Sequence, residues 1–147
     1  MNTSMDMDKS FFITLTSENN GIYKNSNSNF KVELDQPLYI QTQYEVALVD
    51  ITLNTGNYEK KEEGMLFVTT NVCEEQHFNS TRIPLLRHFY AAKSRIYQYE
   101  FNKPHYIPVK HGILGTIEIM IRDKQGETTS FLHDTTYCTL HFRKRSR

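Results

Sequence analysis

Short runs of alternating apolar and polar residues are the feature that most limits what this chain can fold into. The clearest run is FKVELD at 30–35, in which every second residue is apolar. Because successive side chains of a β-strand point to opposite faces, this pattern predicts a strand with one buried face. Comparable runs recur roughly every 8–15 residues, as is typical of antiparallel sheets. We expect strands to begin at Phe11, Phe30, Tyr44, Met65, Ile83, Arg95, Ile113 and Tyr137.

The composition favours the same fold class. Ile, Val, Thr, Phe and Tyr make up 50 of the 147 residues, whereas Ala occurs three times. Branched and aromatic side chains suit a pleated strand, and Ala is the best helix former. The sequence therefore predicts an all-β fold. Strands that are apolar on one face must cover that face with a second sheet, so we expect a β-sandwich of about eight antiparallel strands.

Strand ends and strand faces can also be predicted. Gln36-Pro37 is expected to end the second strand, since proline has no N–H for a ladder. Residues 123–126 are expected to form a hairpin turn, with a returning strand over 128–132. In the strand from 44 to 53, both phases of the alternation are apolar, which predicts a strand covered on both sides. One phase holds Val46 and Leu48, and the other holds Ala47, Val49, Ile51 and Leu53.

The chain is expected to form one domain with two short appendages. We assign residues 1–10 to a flexible N-terminal arm, 11–143 to the domain and 144–147 to a basic tail. The 17 basic and 17 acidic residues give a formal net charge of zero. This balance disfavours a general nucleic-acid binder, which would carry a basic excess. No apolar run approaches the roughly 18 residues of a membrane-spanning helix, and residues 1–10 lack the apolar core of a signal peptide.

Residues capable of catalysis or metal binding are present but scattered. The six histidines lie at spacings that match no common pair of metal ligands. Cys73 and Cys138 indicate free thiols in a reducing compartment rather than a disulfide scaffold. Cys138 falls in the inward phase of the last strand, and Glu74 and Glu75 would raise the pKa of the Cys73 thiol instead of activating it. We therefore predict no catalytic, cofactor-binding or metal-binding residue and no enzymatic activity.

Two features could contact other molecules. Tyr97, Tyr99 and Phe101 share one phase of a strand. They could stack on bases or sugars, but an inner sandwich face or a subunit contact is favoured. The cations at the end of the chain could bind nucleic acid or simply keep this end solvated. They are Arg143, Lys144, Arg145 and Arg147.

Three stretches of the sequence together resemble a viral protein family. The first comprises FITLTS at 12–17, YKN at 23–25, SNFKVEL at 28–34 and QPL at 36–38. The second is YEVALVDI at 44–51, and the third runs from IMIRD at 119–123 through FL at 131–132 to LHFR at 140–143. In this order they resemble the small capsid protein of Polinton (Maverick) elements and adintovirus-like double-stranded DNA viruses. The chain departs from that family at Lys24, Tyr44 and Ala47, where Pro, Trp and Gly are common.

The resemblance implies a single jelly roll that serves as the minor capsid, or penton, protein. Such proteins assemble as homopentamers at the vertices of an icosahedral shell whose faces are built by a double jelly-roll major capsid protein. The implied location is the virion, after assembly inside the host cell. Packaged DNA or neighbouring subunits would contact the basic tail. We expect contacts between subunits at Tyr23, Asn57, Tyr58, Tyr97 and Tyr99.

Two other classes of function remain open from the sequence. A carbohydrate- or receptor-binding β-sandwich would need exposed aromatic residues beside Asn in loops, which Asn54, Asn57 and Tyr58 could provide. An enzyme on a cupin-like jelly roll would need histidines on matching strand phases, and the six histidines do not have that pattern. Because one sandwich fold hosts many functions, the fold alone does not decide among these classes.

Overall fold

The computed structural model describes residues 10–18, 26–40, 43–54, 64–91, 96–128 and 135–145. The regular secondary structure in these ranges is entirely β-strand, which confirms the all-β prediction. In chain order the strands are β1 (Phe11–Thr16), β2 (Asn29–Ile40), β3 (Tyr44–Asn54), β4 (Gly64–Thr70), β5 (Gln76–Phe78), β6 (Thr81–Ile83), β7 (Leu85–Ala91), β8 (Ile96–Glu100), β9 (Ile107–Pro108), β10 (Gly112–Arg122) and β11 (Tyr137–Lys144).

Nine of these strands form two antiparallel sheets, eight of them in the two main strand orders. Sheet A has the order β1-β11-β3-β8, and the short β9 also pairs with β3. Sheet B has the order β2-β10-β4-β7, while β5 and β6 form a separate hairpin. One core of buried side chains joins the inner faces of the two sheets, with Leu48, Leu140 and Phe142 from sheet A and Phe30 and Ile119 from sheet B. The predicted β-sandwich of antiparallel strands is therefore confirmed.

A β-bulge explains the two apolar phases of β3. Leu48 pairs with Leu140 and Asp50 pairs with Thr139, so Val49 is an extra residue without a partner on β11. The bulge switches the phase of the strand, and the apolar residues on both sides of it face the core. The bulge accounts for the buried Ile51 and Leu53, and the prediction of a strand covered on both sides holds at Ala47 near its middle. Ala47 is the one fully buried residue of the outer phase in the described strand.

Strand β2 does not end at Gln36-Pro37, as the sequence had suggested, but continues to Ile40. Its pairing with β10 jumps from Glu33 opposite Thr116 to Leu38 opposite Leu114. Residues 34–37 therefore lie opposite a single glycine of β10. Proline is tolerated there because an irregular stretch of ladder requires no N–H from it.

The turn after β10 forms as predicted. The amide of Gly126 donates to the carbonyl oxygen of Asp123 over 3.0 Å, and Gly126 has a φ of 83°, which favours glycine. The Asp123 carboxylate accepts the backbone N–H groups of Gln125 and Glu127 over 2.9 and 3.0 Å. Of the expected returning strand, Thr128 forms a single bridge with Arg122, and residues 129–132 lie outside the described residues.

Candidate functional site

A groove of about 650 Å³ lies on the outer face of sheet B. Its base is formed by the outward residues of β4 and β10, among them Phe67 and Met120. The β5–β6 hairpin and the turn at 123–126 border it, and Phe78 and Ile83 of the hairpin segment add apolar surface. A concave surface that combines apolar lining with a few polar groups is the usual form of a binding site.

Aromatic packing fixes the hairpin beside the sheet. The ring of Phe78 meets the ring of Phe67 edge to face, with centroids 5.4 Å apart. Phe67 also stacks on His88 of the neighbouring strand β7 at 5.9 Å. At the tip of the hairpin, Asn79 has a φ of 54°, a conformation that Asn adopts more readily than most residues. Because aromatic pairs add stability beyond the area they bury, these contacts define the wall of the groove.

Asn71 lies at one end of the groove, where its side chain bonds to the backbone of β10 in place of a neighbouring strand. Strand β4 ends at Thr70, which would leave polar groups of β10 without a neighbouring strand. The side-chain amide of Asn71 donates to the carbonyl oxygen of Thr116, and its oxygen accepts the N–H of Glu118, both over 2.8 Å. The backbone groups of β10 are thereby satisfied where the chain turns away from the sheet.

The charged side chains of the groove differ in the partners that they contact. The guanidinium of Arg122 directs Nε and Nη2 to the thioether sulfur of Met120 over 2.9 and 2.6 Å. A thioether is a weak acceptor, and no carboxylate of the described residues lies within ion-pair distance of this guanidinium. Lys124 adds a second cation to the lining. The Asp123 carboxylate already accepts two backbone N–H groups, and Arg122 has no carboxylate partner among the described residues.

The outer face of sheet A carries a second polar and aromatic cluster. The hydroxyl of Tyr106 lies 2.8 Å from Nδ1 of His141, and the ring of Phe12 stacks on His141 at 4.4 Å. Arg143 lies 3.4 Å above the centroid of the Tyr106 ring and forms an ion pair with Glu45 over 2.5 Å. Burial, and then the charge of Arg143, lower the pKa of His141. Both effects favour the neutral form of the imidazole.

The tyrosines predicted as subunit contacts differ in how deeply they are buried. Tyr97 is 4% exposed and belongs to the core, so its side chain is not available to a neighbour. Tyr99 is half-buried, stacks on Phe101 at 6.2 Å and donates its hydroxyl to the carbonyl oxygen of Tyr90. For this stripe the inner-face interpretation is correct, and the contact assigned to Tyr97 is withdrawn. The contacts predicted at Tyr23, Asn57 and Tyr58 lie outside the described residues.

The basic end of the chain is partly integrated into sheet A. Lys144, which was assigned to the tail, pairs with Tyr44 as the last residue of β11. Arg145 is exposed, and its amide donates to the carbonyl oxygen of Gln43 over 2.9 Å. Arg143 is engaged by Glu45 and Tyr106 as described above, and Arg147 lies outside the described residues.

The two cysteines are buried, as free thiols, in the core. Burial raises the pKa of each thiol to about 12, with smaller contributions from Glu74 at Cys73 and from Asp50 at Cys138. Because the thiolate is the reactive form, neither is suited to nucleophilic chemistry. Among the residues that the structure describes, no group of three or more His, Cys, Asp or Glu side chains is placed to hold a metal ion.

Within the described ranges, no helix is long and apolar enough to cross a bilayer.

The groove was not predicted from the sequence. Its lining comes from three separate stretches, 67–71, 78–84 and 118–126, which only the pairing of the strands brings together.

Comparison of the chain with family models and with curated proteins finds no match.

Proposed function

We propose that this protein is a single jelly-roll capsid protein that assembles with copies of itself at the vertices of an icosahedral shell. The strand order carries the proposal. Among the eight strands of the two sheets, the first pairs with the last, as β1 with β11. The following pairs are β2 with β10, β3 with β8 and β4 with β7. A long antiparallel hairpin rolled into two sheets would give this nested order, which supports the jelly roll that we propose.

The resemblance of the sequence to small capsid proteins of Polinton and adintovirus-like viruses narrows the function within this fold. A jelly roll hosts many activities, so the fold alone does not choose among them. A vertex protein performs no bond chemistry and contributes shape and contacts. The formal net charge of zero supports this role, because it removes a general repulsion between copies around a rotation axis.

An exposed apolar pair on sheet B supports association between copies. Ile113 and Tyr39 are register partners at one end of β10 and β2, and they are 70% and 42% exposed. Adjacent apolar side chains of this size are a favourable core for an interface. We place them in the contact between neighbouring subunits. In the shell, the further partners are the double jelly-roll major capsid protein and, through Arg145 and Arg147, packaged DNA or a neighbouring subunit.

Sedimentation of the purified full-length chain tests the proposal. At concentrations of about 0.1–1 mM we expect a pentamer of about 86 kDa in exchange with the 17.3 kDa monomer. Ile113→Lys should shift this equilibrium at least about tenfold towards monomer, because it places a charge in an apolar contact. Thr14→Lys, at an exposed strand position on sheet A, is the control and should leave the equilibrium unchanged.

A strict monomer at the highest concentration would argue against the proposal. Saturable binding to defined oligosaccharides by such a monomer would favour the carbohydrate-binding alternative instead. If the two lysine variants shift the equilibrium equally, the proposal of self-assembly stands, but Ile113 does not belong to the interface.

A further inference from the structure

The groove on sheet B has lining groups that match one segment of this chain. Residues 1–9 precede the described structure and read MNTSMDMDK. If the segment bound in an extended conformation, Met5 and Met7 would point to one side and Asp6 and Asp8 to the other. The segment therefore offers flexible apolar side chains and two carboxylates, followed by the cation Lys9. The groove offers apolar surface from Phe67 and Phe78 next to the cations Arg122 and Lys124.

We propose that the groove on sheet B binds the acidic N-terminal arm of a neighbouring copy, with the methionines on its apolar base and the aspartates at its cations. Methionine adapts its shape to irregular apolar surfaces, which suits a shallow site lined by two aromatic rings and by Met120. The guanidinium of Arg122 has only a thioether as its side-chain partner, so a carboxylate would replace a weak acceptor with a strong one.

Two acidic residues, Glu118 and Asp123, also line the groove. The Asp123 carboxylate is held within its own turn, where it accepts two backbone N–H groups. Glu118 lies four residues from Arg122 along β10, or about 13 Å at the usual rise of a strand.

Such an exchange of arms would link copies around a rotation axis, so the inference rests on the proposed assembly. Each contact could be weak, because several copies held in one ring raise the effective concentration of every arm. The arm and the groove would then reinforce the contact at Ile113.

Cross-linking of two single-cysteine variants tests the inference in the full-length chain. Met7→Cys labels the arm of one copy, and Thr81→Cys labels the groove of another, where Thr81 is exposed. After mixing, a short bis-maleimide should join the two variants. The native Cys73 and Cys138 are buried with thiol pKa values of about 12, so they give little background at neutral pH.

We expect the Met7→Cys and Thr81→Cys pair to cross-link at least about tenfold faster than Met7→Cys mixed with Thr14→Cys, an exposed position on sheet A. Adding Arg122→Met to the groove variant, or Asp6→Asn and Asp8→Asn to the arm variant, should reduce that rate about tenfold. Circular dichroism spectra matching those of the parent chain would show that these variants fold.

Equal rates for the groove and control positions would overturn the inference, as would a rate that does not respond to Arg122→Met. Rings that form without this cross-link would refute the arm contact and leave the proposed assembly standing. A cross-link without rings would support the arm contact and refute the proposed assembly.

Discussion

Removing the bulge residue of β3 should be far less harmful than removing its neighbour on the same strand. Val49 is the extra residue between the pairs Leu48–Leu140 and Asp50–Thr139, so its deletion restores an uninterrupted register. The cost is a half-buried side chain and the hydrogen bond from the amide of Phe101 to its carbonyl oxygen. Together these amount to about 1–2 kcal/mol of unfolding free energy.

Deletion of Ala47 is the matched control, because the bulge can absorb it only by changing which side chains face the core. Leu48 would turn outward into the fully buried position of Ala47, and Val49 would turn inward in its place. A smaller side chain in the core and an overpacked alanine position together cost about 2–4 kcal/mol. That is a large share of the 5–15 kcal/mol typical of a domain.

Urea denaturation of the two variants and the parent chain measures the difference directly. With a slope of about 1–3 kcal/mol per molar urea, deletion of Val49 should lower the midpoint by about 1 M or less. Deletion of Ala47 should lower it by about 1.5 M or more. If the two deletions are equally destabilising, the description of Val49 as a phase-switching bulge is wrong.

Three further outcomes follow from the structure. The pKa of His141 is lower in the folded protein than in the unfolded chain, so the unfolded chain binds a proton at this residue at a higher pH. The free energy of unfolding should therefore fall as the pH drops below about 6.5. His141→Gln should flatten that dependence in urea titrations from pH 7.5 to 5, and an unchanged slope would dismiss this assignment. Cys73 and Cys138 should react with a thiol reagent at pH 8 only in denaturant, and fast labelling of native protein would contradict their burial. Gly126→Ala at a φ of 83° should cost about 1 kcal/mol in thermal unfolding, whereas Gln125→Ala in the same turn should cost less.

The strand positions could be predicted because alternation directly reports which face of a strand is buried. The predicted start at Tyr44 is correct, and those at Phe30, Met65 and Ile113 are within one residue. The bulge at Val49 was missed, since a switch of phase and a two-faced strand produce the same apolar pattern. The extra length of β2 was missed because proline usually ends a strand, and only its partner β10 shows that residues 34–37 lie opposite one glycine.

The groove could not be predicted for a different reason. Its wall is the β5–β6 hairpin, whose three-residue strands are too short for a periodic signal. Phe78 was not recognised as a packing residue because its partner Phe67 belongs to another strand. The position of Asn79 next to Ser80 and Thr81 was the available signal, since Asn is common at hairpin tips. Long-range pairing decides which outward residues share a surface, and alternation carries no information about it.

Electron microscopy of the purified full-length protein tests the central claim most directly. At high protein concentration, class averages should show closed rings with five-fold symmetry, each built from five copies of the two-sheet domain. Uniform single particles of monomer size, or open and irregular aggregates without a rotation axis, would contradict a vertex protein that assembles through its own surface.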